Sequence, residues 1–503
     1  MTSHKNLIQQ LKDLLETEML SERVPECEGV ITAKTNTKKQ QVIDAVLKRC
    51  QAVSTDDLPK LEKELMAYFE RYKNADYFSD YYSQDYFRLM DFRGETDERI
   101  VVIGDIHCDY NSLAAILLKL SVSSYDYFEK GRFVFLGDYL DRGSVIFEPL
   151  LLLMDLQQIL GERMIMLRGN HELISYNEEI LLLESKVIPQ DSCPALNEYC
   201  GENKDFLKAF GNFFRTLPTY AYLKLEGQNI LLTHAAVPRQ VFLDKFSFDQ
   251  ESGAIVFDPG YLYDAKTIAQ DKTEDDSLKT MTTILRGDLL MMRNRILYDM
   301  IWGDPSPDWE KYQVSGRYQF GLSQFDAYAK KNNISRLFRS HEPVKNGFMS
   351  FFDNRLYTIF STGGTDNDQT GYGNIDPAFA IIHGSGDYFV ENSYLYGVHL
   401  CSGILKLTCN PFAGSFPGYV STGDYAINEE FLCDEKTILE IESIFMKVKE
   451  GFIFTEEPEE EEPAEVLPEP EKESEPEPEL KSVPEGKSEK EERKDKSHKN
   501  KSK

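Results

Sequence analysis

Five short segments concentrate residue types that can bind cations and move protons. GDIHCD at 104–109 places Asp105 and His107 two positions apart at the end of an apolar run. On an extended backbone such residues leave on the same side, so a carboxylate oxygen and an imidazole nitrogen can share one cation. GDYLDRG at 137–143 contributes Asp138, a carboxylate able to bridge two cations, followed by Asp141 and Arg142. RGNHE at 168–172 supplies Asn170 and His171, LLTHAAV at 231–237 supplies His234, and RSHEP at 339–343 supplies His341. Singly, each has an ordinary explanation, because a lone histidine at a strand end is more often a core or surface residue. As a set they do not: the chain has 8 histidines, and four of them occupy these turns. With the aspartates and Asn170 they make a mixed oxygen and nitrogen donor set suited to Mn, Fe or Zn. Two such cations about 3.5–4 Å apart can activate a water for in-line attack on phosphorus near neutral pH, with no phosphoenzyme. The chemistry implied is hydrolysis of phosphate monoesters.

The elements that must carry these residues are legible around them. Apolar runs at Ile100–Ile103, Phe133–Leu136 and Met164–Leu167 each end in one of the polar turns, and helical stretches near Asn111–Leu120 and Ile146–Leu160 separate them. That alternation predicts a buried, partly parallel sheet, whose site lies beyond the carboxyl ends of its strands. After residue 220, hairpin-like pairs join Ala221–Leu225 to Asn229–His234 and Leu356–Ser361 to Ala378–His383, predicting a second sheet. The fold expected is α/β, with two mixed β-sheets packed as a central sandwich flanked by helices. Residues 1–97 read as a helical N-terminal extension, with apolar residues at helical spacing around Leu7–Leu15, Val42–Leu47 and Leu61–Tyr72. Residues 98–392 are the catalytic domain, 393–454 an extension without a recognisable motif, and 238–282 a polar insertion. The tail at 455–503 is almost wholly Glu, Lys, Pro and Ser, a composition that predicts disorder.

The formal net charge of −29 argues against nucleic acid as a ligand. Between Glu456 and Glu479 the only basic residue is Lys472. No segment reaches the roughly 18 uninterrupted apolar residues of a membrane span, and the N-terminus lacks the apolar run of a signal peptide. A soluble protein of the cytoplasm or nucleus is expected. The 8 cysteines include no CxxC pair, so a structural zinc site has no support.

In this order the five segments resemble the GDxHG, GDxVDRG, GNHE, HGG and RxH motifs of the phosphoprotein phosphatase family, metallophosphoesterases that include the Ser/Thr protein phosphatases. The resemblance spans about residues 99–390. It implies that Asp105, His107 and Asp138 hold one metal and that Asp138, Asn170, His234 and His341 hold the other, with manganese foremost and iron or zinc as alternatives. His171 would be the general acid, oriented by Asp141, and Arg142, Asn170 and Arg317 would contact the phosphate. Arg317 is placed by WGDPSPD at 302–308, which looks like the family's WSDP stretch. A hydroxide bridging the two metals would attack phosphoserine or phosphothreonine in proteins, and regulatory proteins would dock on the N-terminal helices or the tail. Three departures stand out. Cys108 replaces a glycine, Ala235-Ala236 replaces a glycine pair, and STGGTDN at 361–367 replaces SAPNYCG, losing a tyrosine and with it part of the substrate wall; Tyr372, farther along a Gly-rich loop, is the lesser alternative source of that ring. Two other readings fit the same motifs: a hydrolase of nucleotide polyphosphates such as diadenosine tetraphosphate, and a pseudo-phosphatase scaffold.

Overall fold

The computed structural model describes residues 37–51, 57–74, 87–91, 97–251, 255–257, 295–308, 318–364, 370–411 and 429–451, apart from short interior breaks. The sequence-predicted helix around Leu7–Leu15, the tyrosine-rich stretch 77–86, most of the 238–282 insertion, Arg317 and the 455–503 tail lie outside them.

Two sheets form the centre. In the first the strand order is Tyr388–Asn392, Ala378–His383, Arg99–Ile103, Arg132–Phe135, Met164–Met166, the last three mutually parallel. In the second it is Phe87–Asp91, Tyr220–Leu225, Gln228–Thr233, Arg336–Arg339, Leu356–Ile359, Phe348–Phe351. Strand periodicity divides their side chains. Ile100, Val102, Val134, Ile165, Leu223, Leu232, Phe338, Ile359 and Ile382 meet in the layer between the sheets. The alternate residues of the first sheet, Val101, Ile103, Phe133, Phe135, Met164 and Met166, pack outward on helices. Tyr220, Tyr222, Leu231, Leu337 and Leu356 do the same for the second.

The helices follow their sequence signals. Asp109 caps Tyr110–Val122 by accepting from the Ser112 N–H, and that helix is buried throughout because sheet and outer helices cover both its sides. Phe147–Leu160 is buried nearly as fully. Lys38–Arg49 and Leu58–Asn74 pack on the same core, and buried Arg49 bridges Glu64 and Asp155 at 2.6 and 2.7 Å. Among the described residues no helix is long and apolar enough to cross a membrane.

Two sequence expectations change. Residues 87–91, read within a helical extension, form a strand parallel to Tyr220–Leu225. Leu356–Ile359 and Ala378–His383, read as a hairpin, lie in different sheets: the first pairs with Arg336–Arg339 and Phe348–Phe351, the second with Arg99–Ile103 and Tyr388–Asn392. Apolar alternation marks a strand without naming its partner, and the chain between them crosses from one sheet to the other. The motif-free stretch after 393 holds a hairpin of Tyr394–Cys401 with Ile404–Pro411 and a helix, Glu435–Glu450, whose Ile441, Phe445 and Val448 join the core.

Lys119, fully buried on the 110–122 helix, ties down the edge strand Tyr388–Asn392. Its Nζ donates to Glu391 Oε2 at 2.7 Å and to Asn392 O at 2.8 Å. Burial pushes the Glu391 carboxyl up, against the pull of Lys119. Lys119→Met leaves that carboxylate buried and uncompensated, and should cost about 3–5 kcal/mol of stability at neutral pH. A carboxyl raised in the folded state is penalised while charged, so the deficit should shrink as pH falls and Glu391 takes up a proton. Denaturant unfolding at pH 5 and pH 8 checks this; an equal deficit at both would contradict it.

Candidate functional site

The described candidate side chains stand beyond the carboxyl ends of parallel strands, but of both sheets. Arg99–Ile103 leads to Asp105, Arg132–Phe135 to Asp138 and Met164–Met166 to Asn170, whereas Gln228–Thr233 leads to His234 and Arg336–Arg339 to His341. The sheets meet here through a bridge between Asp105 and Phe360. Gly104 permits the approach, since a Cβ there would lie 2.2 Å from Ile359 O.

The backbone is strained where the chemistry is. Of the eleven non-glycine residues with positive φ among the described residues, six are His107, Cys108, Asp138, Asp141, Arg142 and His341. Such conformations cost about 1–3 kcal/mol each and persist where surrounding structure enforces them.

Asp105, His107, Asp138, Asn170, His171, His234 and His341 come together. His107 Nδ1 lies 2.9 Å from Leu140 O and His234 Nδ1 3.0 Å from Leu136 O. A carbonyl only accepts, so both rings carry the proton on Nδ1 and turn Nε2 toward the site. His107 Nε2 is 3.6 Å from Asp105 Oδ2 and 3.7 Å from Asp138 Oδ2. His234 Nε2 is 3.2 Å from Asp138 Oδ2, 2.9 Å from Asn170 Oδ1 and 3.1 Å from His341 Nδ1. Two groups result, His107 with Asp138 and His171, and Asp138 with His234 and His341, the ligand atoms of each lying within 4.8 Å of one another. Asp138 belongs to both.

The donor set fits metal ions. Asp105 Oδ1 accepts from Ser340 Oγ and the His341 N–H, while Oδ2 is buried and accepts no hydrogen bond among the described residues. Buried acceptors facing one another are unfavourable unless positive charge lies among them. In this chain protons answer part of that demand. Burial opposes the imidazolium form, yet Asp105 and Asp138 lift His107 up to about 9, and Asp138 lifts His234 above its ordinary value. Burial likewise opposes ionisation of Asp138, but His234 and His171 hold it well below the usual carboxylate range. A cation would experience the same field.

His171 is held differently. Its Nδ1 is 2.7 Å from Asp141 Oδ2, and Asp141 Oδ1 accepts from the Asp191 and Ser192 N–H groups at 2.9 and 2.8 Å. Although burial raises the Asp141 carboxyl, these bonds bring it below its ordinary value. The next residue, Arg142, is partly exposed, and its Nε has no hydrogen-bond partner among the described residues.

The departures from the motifs are absorbed. Cys108 is fully buried, and Ala235 and Ala236 both donate to Met300 O. Asp109 accepts from Ser112 and from Thr362 Oγ1 and the Gly363 N–H, holding the altered 361–364 segment against the metal-facing loop. Farther along, the Tyr372 ring stacks on His107 with centroids 5.6 Å apart and meets Phe360 edge-on at 5.1 Å. Burial pushes its hydroxyl up to about 12, with Arg142 pulling the other way. The sequence reading gave no role to Asp109 or Glu172. Both sit inside the motifs, but what they do depends on which backbone N–H groups they meet.

Two packed mixed sheets carry a His/Asp/Asn cluster at their joint carboxyl edge, an arrangement consistent with the metallophosphoesterase fold. Residues 98–345 match the calcineurin-like phosphoesterase family. The chain is 23% identical over 270 residues to the serine/threonine-protein phosphatase 4 catalytic subunit of Saccharomyces cerevisiae, covering 53% of this chain and 70% of that one. It is 26% identical over 272 residues to the serine/threonine-protein phosphatase rdgC of Drosophila melanogaster, covering 52% of this chain and 35% of that one. A solved protein serine/threonine phosphatase from Saccharomyces cerevisiae is similar at 18% identity and a TM-score of 0.44, covering 66% of this chain and 89% of that one.

Titrating Mn²⁺ into metal-free protein should raise its unfolding temperature. A ligand held only by the folded chain stabilises it by about 2.7 kcal/mol at a hundredfold excess over Kd. Asp138→Ala removes the carboxylate common to both groups and should abolish the rise; an undiminished rise would place the ion elsewhere.

Proposed function

We propose that this chain is a metal-dependent phosphomonoesterase that removes phosphate from phosphoserine and phosphothreonine in proteins. The observation that carries the reading is the His171–Asp141 pair at 2.7 Å within the cluster of candidate ligands. A serine or threonine alkoxide is a poor leaving group unless it is protonated as it departs. His171 can deliver that proton from Nε2 while Asp141 accepts from Nδ1 and fixes the ring. Two backbone N–H groups on the other Asp141 oxygen fix its orientation. Arg142 and Asn170 would hold phosphoryl oxygens, Arg142 through charge-assisted hydrogen bonds; the same role for Arg317 rests on its motif alone.

Asp105, His107, Asp138, Asn170, His234 and His341 would hold two cations, which supply Lewis acidity toward the phosphoryl group and make water nucleophilic at neutral pH. Manganese is the ion proposed, with iron or zinc as substitutes. The protein-phosphatase substrate class is supported by the names of the relatives, and regulatory partners are proposed for the chain flanking the domain.

With Mn²⁺ bound, the protein should release phosphate from a phosphoserine peptide. His171→Asn should lower kcat by about 10²–10⁴-fold with metal content unchanged; loss of metal, or undiminished turnover, would remove the acid assignment. Faster cleavage of diadenosine tetraphosphate than of peptide would reassign the substrate, and background release from metal-loaded protein would make the chain a scaffold. Tyr372→Phe keeps the ring over His107 and deletes the hydroxyl. It should reduce kcat/KM about fivefold, the worth of one neutral hydrogen bond, and unchanged kinetics would exclude the hydroxyl from substrate contact.

A further inference from the structure

We infer that Glu172 is a positioning residue that sets where Asp138 and His107 stand, and with them the cation affinity of the site. The inference rests on the phosphoesterase reading above. Glu172 is completely buried in the RGNHE segment and its carboxylate points under the 137–142 turn. Oε2 accepts from the N–H groups of Asp138 at 2.8 Å and Gly169 at 2.9 Å; Oε1 accepts from Tyr139 at 2.8 Å and Leu140 at 3.3 Å. Four backbone donors thus take up the acceptor positions of its two oxygens. Glu172 therefore has no oxygen to spare for a cation, and acts through the turn it holds.

That turn needs holding. Gly137 has φ 111° and Asp138 φ 56°, a left-handed conformation that aims three successive amides inward instead of into the strand ladder. Glu172 answers those amides. With the Asp138 backbone fixed, the His171 N–H bonds Asp138 Oδ1 at 3.0 Å, which leaves Oδ2 to face His234 and His107. The same turn presents Leu140 O, which receives the His107 Nδ1 proton. One buried carboxylate thus orients two proposed ligands through backbone alone. The fit is close: a Cβ on Gly169 would lie 2.2 Å from Asp138 Oδ1 and 2.8 Å from Glu172 Oε2.

Glu172→Gln presents an amide NH₂ to two of the four N–H donors, whereas Glu172→Asp keeps the charge one methylene short. Mn²⁺ affinity by equilibrium dialysis and unfolding temperature without metal are compared in the full chain. Substitutions behind metal ligands commonly weaken binding 10–100-fold. That loss is expected for Glu172→Gln, with turnover recovering as Mn²⁺ is raised, and a smaller loss for Glu172→Asp. Wild-type Mn²⁺ affinity in a variant of lowered unfolding temperature would make Glu172 a fold staple only and overturn the inference. If Glu172→Gln does not fold, Glu172→Asp decides by the same comparison. Wild-type protein that binds Mn²⁺ but releases no phosphate would sink the phosphoesterase reading and leave this comparison standing, because it is read on affinity. Wild-type protein that binds no Mn²⁺ would overturn both.

Discussion

Asp138 Oδ2 lies 3.2 Å from His234 Nε2 and 3.7 Å from His107 Nε2, and those two histidines belong to different sheets. A contact of that kind constrains the whole sandwich. The layer between the sheets must be packed to a thickness that brings their carboxyl edges together, and Ile100, Val102, Phe338 and Ile359 fill it without polar groups. Gly104 then lets one edge touch the other at Ile359 O. A larger residue there would part the edges and separate the two ligand groups.

The same convergence accounts for the strain. Side chains leaving a strand end on an ordinary extended backbone would diverge, and turning them inward requires left-handed residues at His107, Asp138, Asp141, Arg142 and His341. The 137–142 turn leaves amide groups unpaired with any strand, and Glu172 takes up those of residues 138–140; Asp141 and Asp109 likewise accept from the helix-start amides of 191–192 and 112, and Asp109 from 363. Backbone that is unfavourable by itself is thereby held by hydrogen bonds, as a site that must hold charge at fixed distances requires.

How much of this the sequence discloses depends on the kind of information. The five motifs were legible because Asp, Asn and His in polar turns after apolar runs are chemically conspicuous, and the structure brings Asp105, His107, Asp138, Asn170, His171, His234 and His341 to one place. The helices at 110–122 and 147–160 and the strands before each motif follow from hydrophobic pattern. Pairing does not. The 356–359 and 378–383 strands look like hairpin neighbours, yet lie in different sheets because tertiary packing, not chain proximity, selects the partner. The strand at 348–351 escaped the pattern because its middle residues, Met349 and Ser350, face solvent. The anchoring roles of Glu172 and Asp109 were hidden for another reason: they act on amides whose directions exist only once the left-handed turns have formed.

On the proposed reading the two ligand groups that share Asp138 would each hold a cation, and hydrolysis would need both. Metal content and phosphate release, followed together as Mn²⁺ is added to metal-free full-length protein, test it most directly. Two equivalents per chain should bind, with release from a phosphoserine peptide rising with the second. A single equivalent at full activity, or release in the absence of any metal, would contradict the account.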